Sequence, residues 1–279
     1  MNLLLAANCW TWDVDPTLIP IYGPVQIRWY GLCFLAVFVT GYYFYDWQLR
    51  RAGYDDEMAS RYVNLGVFAI LLGAWLGHRF FYDWERVLAN PLYLIDIRRG
   101  LVGLASHGAI LGLFVSLYWF AKREKVAVAE TYDRLVWSGS MGVIFVRLGN
   151  LFNSEIIGRV TDVDWAVCLP RVDAIPIPRH PTQIYESLMG LIILGIMFAV
   201  DKIFGGEKRP RWLMSGAWLM CYGAMRFIIE FYKAHQTLDT DSTLTMGQYL
   251  SIPIFLVGLS MATYAIMNWQ KTSGASEGA

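Results

Sequence analysis

Runs without a formal charge constrain this chain more than any other feature. Residues 29–45 carry no Asp, Glu, Lys or Arg over 17 positions, and residues 101–121 carry none over 21. Residues 62–78, 135–146, 187–200, 212–225 and 246–269 complete a set of seven such stretches. Seventeen helical residues rise about 25 Å, close to the ~30 Å of a bilayer's hydrocarbon core. Flanking Arg, Trp and Tyr side chains can extend the shorter stretches by snorkelling. The expected fold is an all-α membrane protein of about seven transmembrane helices, one polytopic domain over residues 1–279.

Composition agrees. The 279 residues are 56% hydrophobic and 16% charged, against about 25% charged in soluble chains. Mean hydropathy is +0.39. The formal net charge is zero, so no bulk field points to nucleic acid. Twelve Trp and sixteen Tyr suit two interfacial belts. None of Cys9, Cys33, Cys168 and Cys221 sits in a C-x-x-C pair. A metal or redox site therefore has no support, and each cysteine reads as a small buried hydrophobe. No cofactor is implied. Residues 3–7 are apolar but lack a basic flank and fall short of a signal-peptide core. They read as an interfacial N-terminal segment that is not cleaved.

Seven spans place the termini on opposite sides, and Lys/Arg counts in the loops choose between the two orientations. With the N-terminus outside, inner loops hold twelve basic residues and outer loops eight. The bias favours N-out, C-in. Residues 154–182 then form a small outer head between the fourth and fifth spans. Pro170, Pro176, Pro178 and Pro181 make it extended or turn-rich, with a short strand within residues 165–169. Residues after Lys271 read as a disordered Gly/Ser tail.

A charge at the centre of a span costs about 2.5–3.5 kcal/mol on the insertion scale, so each asks for a partner or a task. In this orientation the awkward residues share an address. Tyr30, Arg79, His107, Arg147, Asn150, Arg226 and Glu230 all fall in the outer halves of their spans. Arg147 and Asn150 are i, i+3 and share a helix face; Arg226 and Glu230 are i, i+4, close enough to pair. An arginine fork suits a phosphate. Two such arginines could clamp one lipid phosphodiester, with a histidine moving a proton near neutral pH. The plainer readings are that Arg28 and Arg79 snorkel, that Arg226–Glu230 is an internal ion pair, and that His78, His180 and His235 are solvated near span ends. Gly73, Gly77, Gly108 and Gly112 read as close-packing positions. From these residues alone the reading ends at an outer-leaflet site for a lipid or anion.

The same residues lie in motifs that resemble one known family. The run RLGNLFNSEIIGR at residues 147–159 resembles the signature of prolipoprotein diacylglyceryl transferases, with Asn150, Asn153, Glu155 and Gly158 in register. RWYGL from Arg28, SHGAILG from Ser106, RHPTQIYES from Arg179, RFIIEFYK from Arg226 and MGQYLSIP from Met246 resemble its other motifs, in order along nearly the whole chain. Departures are Trp75 where the family often has Arg, with Arg79 one turn later; Ala109 in a usual Gly-Gly; and Lys233 where Arg is common.

The resemblance implies transfer of the sn-1,2-diacylglyceryl group of phosphatidylglycerol to the lipobox cysteine of a prolipoprotein. A thioether forms and sn-glycerol 1-phosphate leaves. The setting implied is the bacterial inner membrane, with the site toward the periplasmic leaflet. Carried over, His107, Arg147 and Arg226 are the catalytic residues. Arg147, Arg226, Asn150, Tyr30 and Gly158 bind phosphatidylglycerol, and Glu155, Glu230, Asn153 and Arg79 support them. His107 is either the base that takes the thiol proton or a group that orients Tyr30 or lipid. A non-enzymatic lipid or solute transporter is the alternative from another class, but it would line both leaflets with charge. A CDP-alcohol phosphotransferase needs Asp-Gly, a dipeptide this chain lacks.

Overall fold

The computed structural model describes residues 9–22, 25–96, 103–234 and 244–277. Each apolar stretch overlaps a helix, the third only from Ser106 onward. Among the described residues the α-helices are α1 Trp29–Arg51, α2 Met58–Tyr82, α3 Trp84–Ala89, α4 Ser106–Arg123, α5 Val128–Phe152, α6 Thr182–Ile203, α7 Leu213–Ile229 and α8 Met246–Glu277. Four strands accompany them: β1 Trp10–Thr11, β2 Thr17–Tyr22, β3 Val25–Arg28 and β4 Val167–Cys168. Four of the helices are long and apolar enough to cross a bilayer: α2, α5, α6 and α8 over residues 246–270.

Two compact units are present. One comprises Tyr45–Arg134. Its centre is α2 against α4, joined through glycine. A Cβ on Gly73 would overlap the Gly108 carbonyl, and one on Gly77 would come within 2.7 Å of the Gly108 Cα. Backbone contact of this kind needs small residues on both helices. Tyr45, Tyr62 and Phe120 fill the space beside it, with ring centroids 4.9 and 5.1 Å apart.

The other unit comprises Met1–Phe44 and Leu135–Ala279. Trp137, Met189, Ile193, Met197 and Met214 form its core, drawn from α5, α6 and α7. Here α7 meets α8 through Gly216, Gly223 and Gly258. Both units also carry large apolar side chains on the outside and polar ones inside: Phe68, Leu111, Leu191 and Leu256 are exposed, while Gln48, Ser140, Gln183, Glu186 and Ser251 are buried. Water would penalise that surface, whereas hydrocarbon solvates it. The protein is an all-α membrane protein.

Several expectations need correction. Cys9 and Cys168 are not merely packed thiols but form a disulfide between residues 159 apart in sequence. Parallel pairing of β1 with β4 places Thr11 opposite Cys168 and brings the two cysteines together. Cys33 is buried and free. The predicted third span starts late, at Ser106, because Gly103 adopts a left-handed φ of +77° and Ala105 is extended. The tail after Lys271 is not wholly irregular: α8 continues to Glu277, since extending a formed helix costs far less than starting one. The N-terminal segment at residues 3–7 and His235 lie outside the described residues.

Candidate functional site

Helix α5 carries the signature run to its C-terminal end. Arg147 and Asn150 share a face as their spacing requires, and Arg147 Nη1 donates to Asn150 Oδ1 at 3.0 Å. The chain then turns sharply. Ser154 and Ile156 both take left-handed φ values, 55° and 54°. Such strain is uncommon outside glycine and tends to gather at functional sites. Its effect is to fold Glu155 back over the helix end: Asn150 Nδ2 donates to Glu155 Oε2 at 2.9 Å, and Asn153 Nδ2 to Oε1 at 3.1 Å.

The first turns of α6 hold this loop. Gln183 Nε2 donates to the Glu155 carbonyl at 2.6 Å, and Thr182 Oγ1 to the Ile156 carbonyl at 2.9 Å. One turn on, Ser187 Oγ donates to the Ile144 carbonyl at 3.0 Å. Thr182, Gln183, Glu186, Ser187 and Gly190 thus form a buried polar strip on an otherwise apolar helix.

Glu186 is the residue that sequence reasoning missed. It is 1% exposed. Its Oε2 lies 2.6 Å from Arg147 Nε, and its Oε1 lies 2.7 Å from Lys233 Nζ. The Arg147 contact is an ion pair without an aligned hydrogen bond. Lys233, itself buried, also pairs with Glu230 at 3.2 Å. The signal was available as polar residues recurring at helical spacing in TQIYES, but their partners come from other elements.

Arg226 and Glu230 do not pair directly. Helix α7 ends at Ile229, and a 3-10 turn begins at Glu230, which rotates the carboxylate off the i, i+4 position. Arg226 Nη1 instead donates to Tyr222 Oη at 2.8 Å. Tyr222 stacks on Trp218, whose Nε1 donates to Ser140 Oγ at 2.9 Å. The Arg226 Nε is buried with no acceptor among the described residues. Glu230 is covered by the start of α8, where a Cβ on Gly247 would overlap its carboxylate.

Tyr30, in the first turn of α1, packs on Gly149 and interacts with Asn150. Gly158 bridges to Lys233 and lies against the His180 carbonyl, leaving no room for a Cβ. Residues Tyr30, Arg147, Asn150, Asn153, Glu155, Gly158, Arg226 and Glu230 therefore lie in one unit. His107 and Arg79 belong to the other. His107 is in the first turn of α4, exposed, with its ring 6.5 Å from that of Phe81.

Arg79 does not snorkel. It is 4% exposed and donates to the carbonyls of Tyr93 and Asp96 at 3.0 and 2.7 Å, with its guanidinium over Trp75 at 3.8 Å. Trp75, the departure from the family motif, is thus what Arg79 stacks on. Arg28 is exposed at the end of β3. His180 is half-buried rather than solvated: its Nδ1 lies 3.2 Å from Tyr185 Oη, and its ring is edge-on to Tyr232 at 5.0 Å. Burial lowers its pKa from the ordinary histidine value. In the same segment, the hydrogen bonds from Arg179 to Asp173, both 2.7 Å, hold the aspartate below the usual carboxylate range. His78 is also half-buried, 3.7 Å from Asp83.

Comparison with known proteins agrees with the motifs. Residues 16–264 match the family model described as prolipoprotein diacylglyceryl transferase. The chain is 37% identical to the phosphatidylglycerol–prolipoprotein diacylglyceryl transferase of Chloroherpeton thalassium, over 94% of this chain and 97% of that one. It is 35% identical to the enzyme of the same name from Idiomarina loihiensis, over 90% and 93%. With the Vibrio cholerae enzyme it shares 33% identity, over 91% and 92%. The chain belongs to the prolipoprotein diacylglyceryl transferase family.

Proposed function

We propose that the protein transfers the sn-1,2-diacylglyceryl group of phosphatidylglycerol to the lipobox cysteine of prolipoproteins, the first step of lipoprotein maturation. The observation that carries this reading is the buried cluster around Arg147, found in a chain that matches the family along nearly all its length. Arg147 has Nε on Glu186 and Nη1 on Asn150, which leaves Nη2. Arg226 keeps an Nε without an acceptor among the described residues. Such donors, fixed before substrate arrives, stabilise charge far better than mobile ones in water.

In the proposed mechanism, phosphatidylglycerol enters laterally from the outer leaflet. Arg147 and Arg226 hold its phosphate, while Asn150 and Tyr30 orient it. Glu155 and Asn153 keep Asn150 in place, Glu230 holds Lys233, and Gly158 lets the Lys233 and His180 backbones approach. The prolipoprotein thiolate attacks the glycerol carbon bearing the phosphate ester. The C–S bond forms, the C–O bond breaks, and the electron pair leaves on sn-glycerol 1-phosphate. Free thiols have a pKa of about 8.5, so the thiol proton needs an acceptor or a cationic field. The assignment of His107 to that step rests on its match to the family motif. Arg79 stays with its own loop as a support.

The setting proposed is the bacterial inner membrane, with seven spans, N-terminus out and C-terminus in. Residues 154–182 form the periplasmic head of a single polytopic domain. Two independent features support the orientation: basic residues favour the opposite side, and the Cys9–Cys168 disulfide suits an oxidising compartment. The partners are phosphatidylglycerol, the prolipoprotein signal peptide and the bilayer.

The test is direct. Purified protein is incubated with phosphatidylglycerol and a lipobox peptide, and the peptide is weighed by mass spectrometry. A diacylglyceryl gain is expected, abolished by Cys→Ala in the peptide and by Arg147→Ala or Arg226→Ala in the protein. No gain with the unaltered peptide overturns the reading. A His107→Gln variant with wild-type single-turnover transfer removes His107 from the proton step.

A further inference from the structure

Glu186 is a carboxylate buried in an apolar helix, and burying it unpaired would be prohibitive. It has two cationic partners, from two different elements: Arg147 on α5 and Lys233 beyond the end of α7. Its own placement is firm. Gln183 and Ser187, one on each side, bond to the Glu155 and Ile144 carbonyls, and Gly190 lets α6 meet α5 at backbone distance. The carboxylate is thus fixed by the fold before any ligand binds.

Arg147 gains an orientation from this. With Nε against Glu186 and Nη1 on Asn150, the planar guanidinium has two of its three nitrogens committed. No partner takes Nη2 among the described residues. Resting on the function proposed above, we infer that Glu186 is a positioning residue of the transfer reaction. It locks Arg147 and Lys233 into one arrangement in which Arg147 Nη2 faces the substrate phosphate. Glu186 touches no reacting atom; it acts through Arg147. A plainer role competes with this one: Glu186 could serve only to neutralise the buried Lys233.

Five proteins in phosphatidylglycerol proteoliposomes separate the two: wild type, Arg147→Ala, Glu186→Gln, Lys233→Met, and the double variant Glu186→Gln/Lys233→Met. Initial rates of lipobox-peptide modification give kcat and KM for phosphatidylglycerol separately. Misplacing a reacting contact by about 1 Å can cost about 10²-fold. Glu186→Gln is therefore expected to lower kcat by that order while KM changes far less. The double variant is expected to stay equally slow, because Arg147 is still unheld. Lys233→Met alone is expected to fall less, because Glu186 still holds Arg147. Wild-type kcat in Glu186→Gln overturns the inference. So does recovery in the double variant, which would leave charge neutralisation as the whole role.

Should Glu186→Gln fail to fold, Glu186→Asp keeps the charge but withdraws it by one methylene. A folded Glu186→Asp protein with wild-type kcat overturns the inference, and one with a wild-type melting temperature and a low kcat supports it. Arg147→Ala separates this inference from the reading beneath it. If Arg147→Ala is fully active, the phosphate site itself is wrong and both fall. If Arg147→Ala is inactive and Glu186→Gln is not impaired, only the positioning role falls.

Discussion

At Gly158 the absence of one methyl group lets two stretches of backbone meet. The residue bridges to Lys233, and a Cβ added to it would overlap the His180 carbonyl and lie 2.9 Å from the His180 Cβ. Neither neighbour is the free end of a flexible side chain. Gly158→Ala should therefore destabilise the protein by about 1–3 kcal/mol, the usual range for overpacking, read as a lower melting temperature in detergent. Tyr222→Phe is the contrasting case. The ring stack on Trp218 is kept and only the acceptor for Arg226 Nη1 is lost. A hydrogen bond to a charged group contributes about 1.5–3 kcal/mol to stability, so the melting temperature should fall, and with Arg226 no longer held kcat/KM should fall about 10- to 10²-fold. At this scale the sequence was legible where the partners share a regular helix. The Arg147–Asn150 contact follows from i, i+3 spacing alone. Arg226–Glu230 failed because α7 ends between them, and Glu186 was missed because its partners lie on other elements.

The helices themselves were easier to read than their junctions. Apolar runs located α1, α2 and α4 to α8, because hydrophobic length is a property of the segment. The residues 154–182 were legible as turn-rich from proline, yet the disulfide was not, since pairing depends on where β1 arrives. Cys168→Ser removes a covalent link between residues 159 apart. Loss of such a link costs about 2–5 kcal/mol, and a matching drop in melting temperature should appear in wild type treated with reductant. The same segment should be sensitive to acid. The His180 pKa is lowered, so the unfolded chain takes up a proton at higher pH than the folded one, and stability falls as pH drops below the ordinary histidine value. The Asp173 pKa is also lowered, and its contribution is lost at still lower pH, as the carboxylate protonates. Protection against amide exchange in residues 158–180, taken relative to the intrinsic rate at each pH, should therefore fall in two stages between neutral pH and about pH 3. A His180→Asn variant that keeps the first stage would remove histidine as its cause.

For the whole molecule, side of the membrane is the property that links charge, redox state and chemistry. The lipid donor can be reached from either leaflet in principle, but the acceptor cysteine belongs to a secreted precursor, so thiol and phosphate must meet where that precursor emerges. Three separate features then have to agree. Basic residues should lie opposite the site, as the twelve-to-eight distribution has it. The disulfide should lie on the oxidising side. Seven spans should carry the C-terminus across from the N-terminus. Each can be measured without the others. Green fluorescent protein fused after Ala279 should fluoresce, and alkaline phosphatase fused within residues 170–176 should be active, as each matures only on its own side. A thiol-reactive, membrane-impermeant reagent should label a cysteine placed at the exposed Ile175 in intact spheroplasts and not one placed at Glu207. If Glu207 is the labelled position, the molecule is inverted and the disulfide would face the reducing cytoplasm. If both ends of the chain lie on one side, the number of spans is even. One of the three other long helices, α1, α4 or α7, would then lie along the surface instead of crossing. In the proposed topology α5 and α7 run the same way across the bilayer with α6 between them, so withdrawal of α1 or α4 would keep Arg147 and Arg226 in one leaflet, whereas withdrawal of α7 would leave Arg226 in the leaflet opposite Arg147, and no single phosphate could meet both.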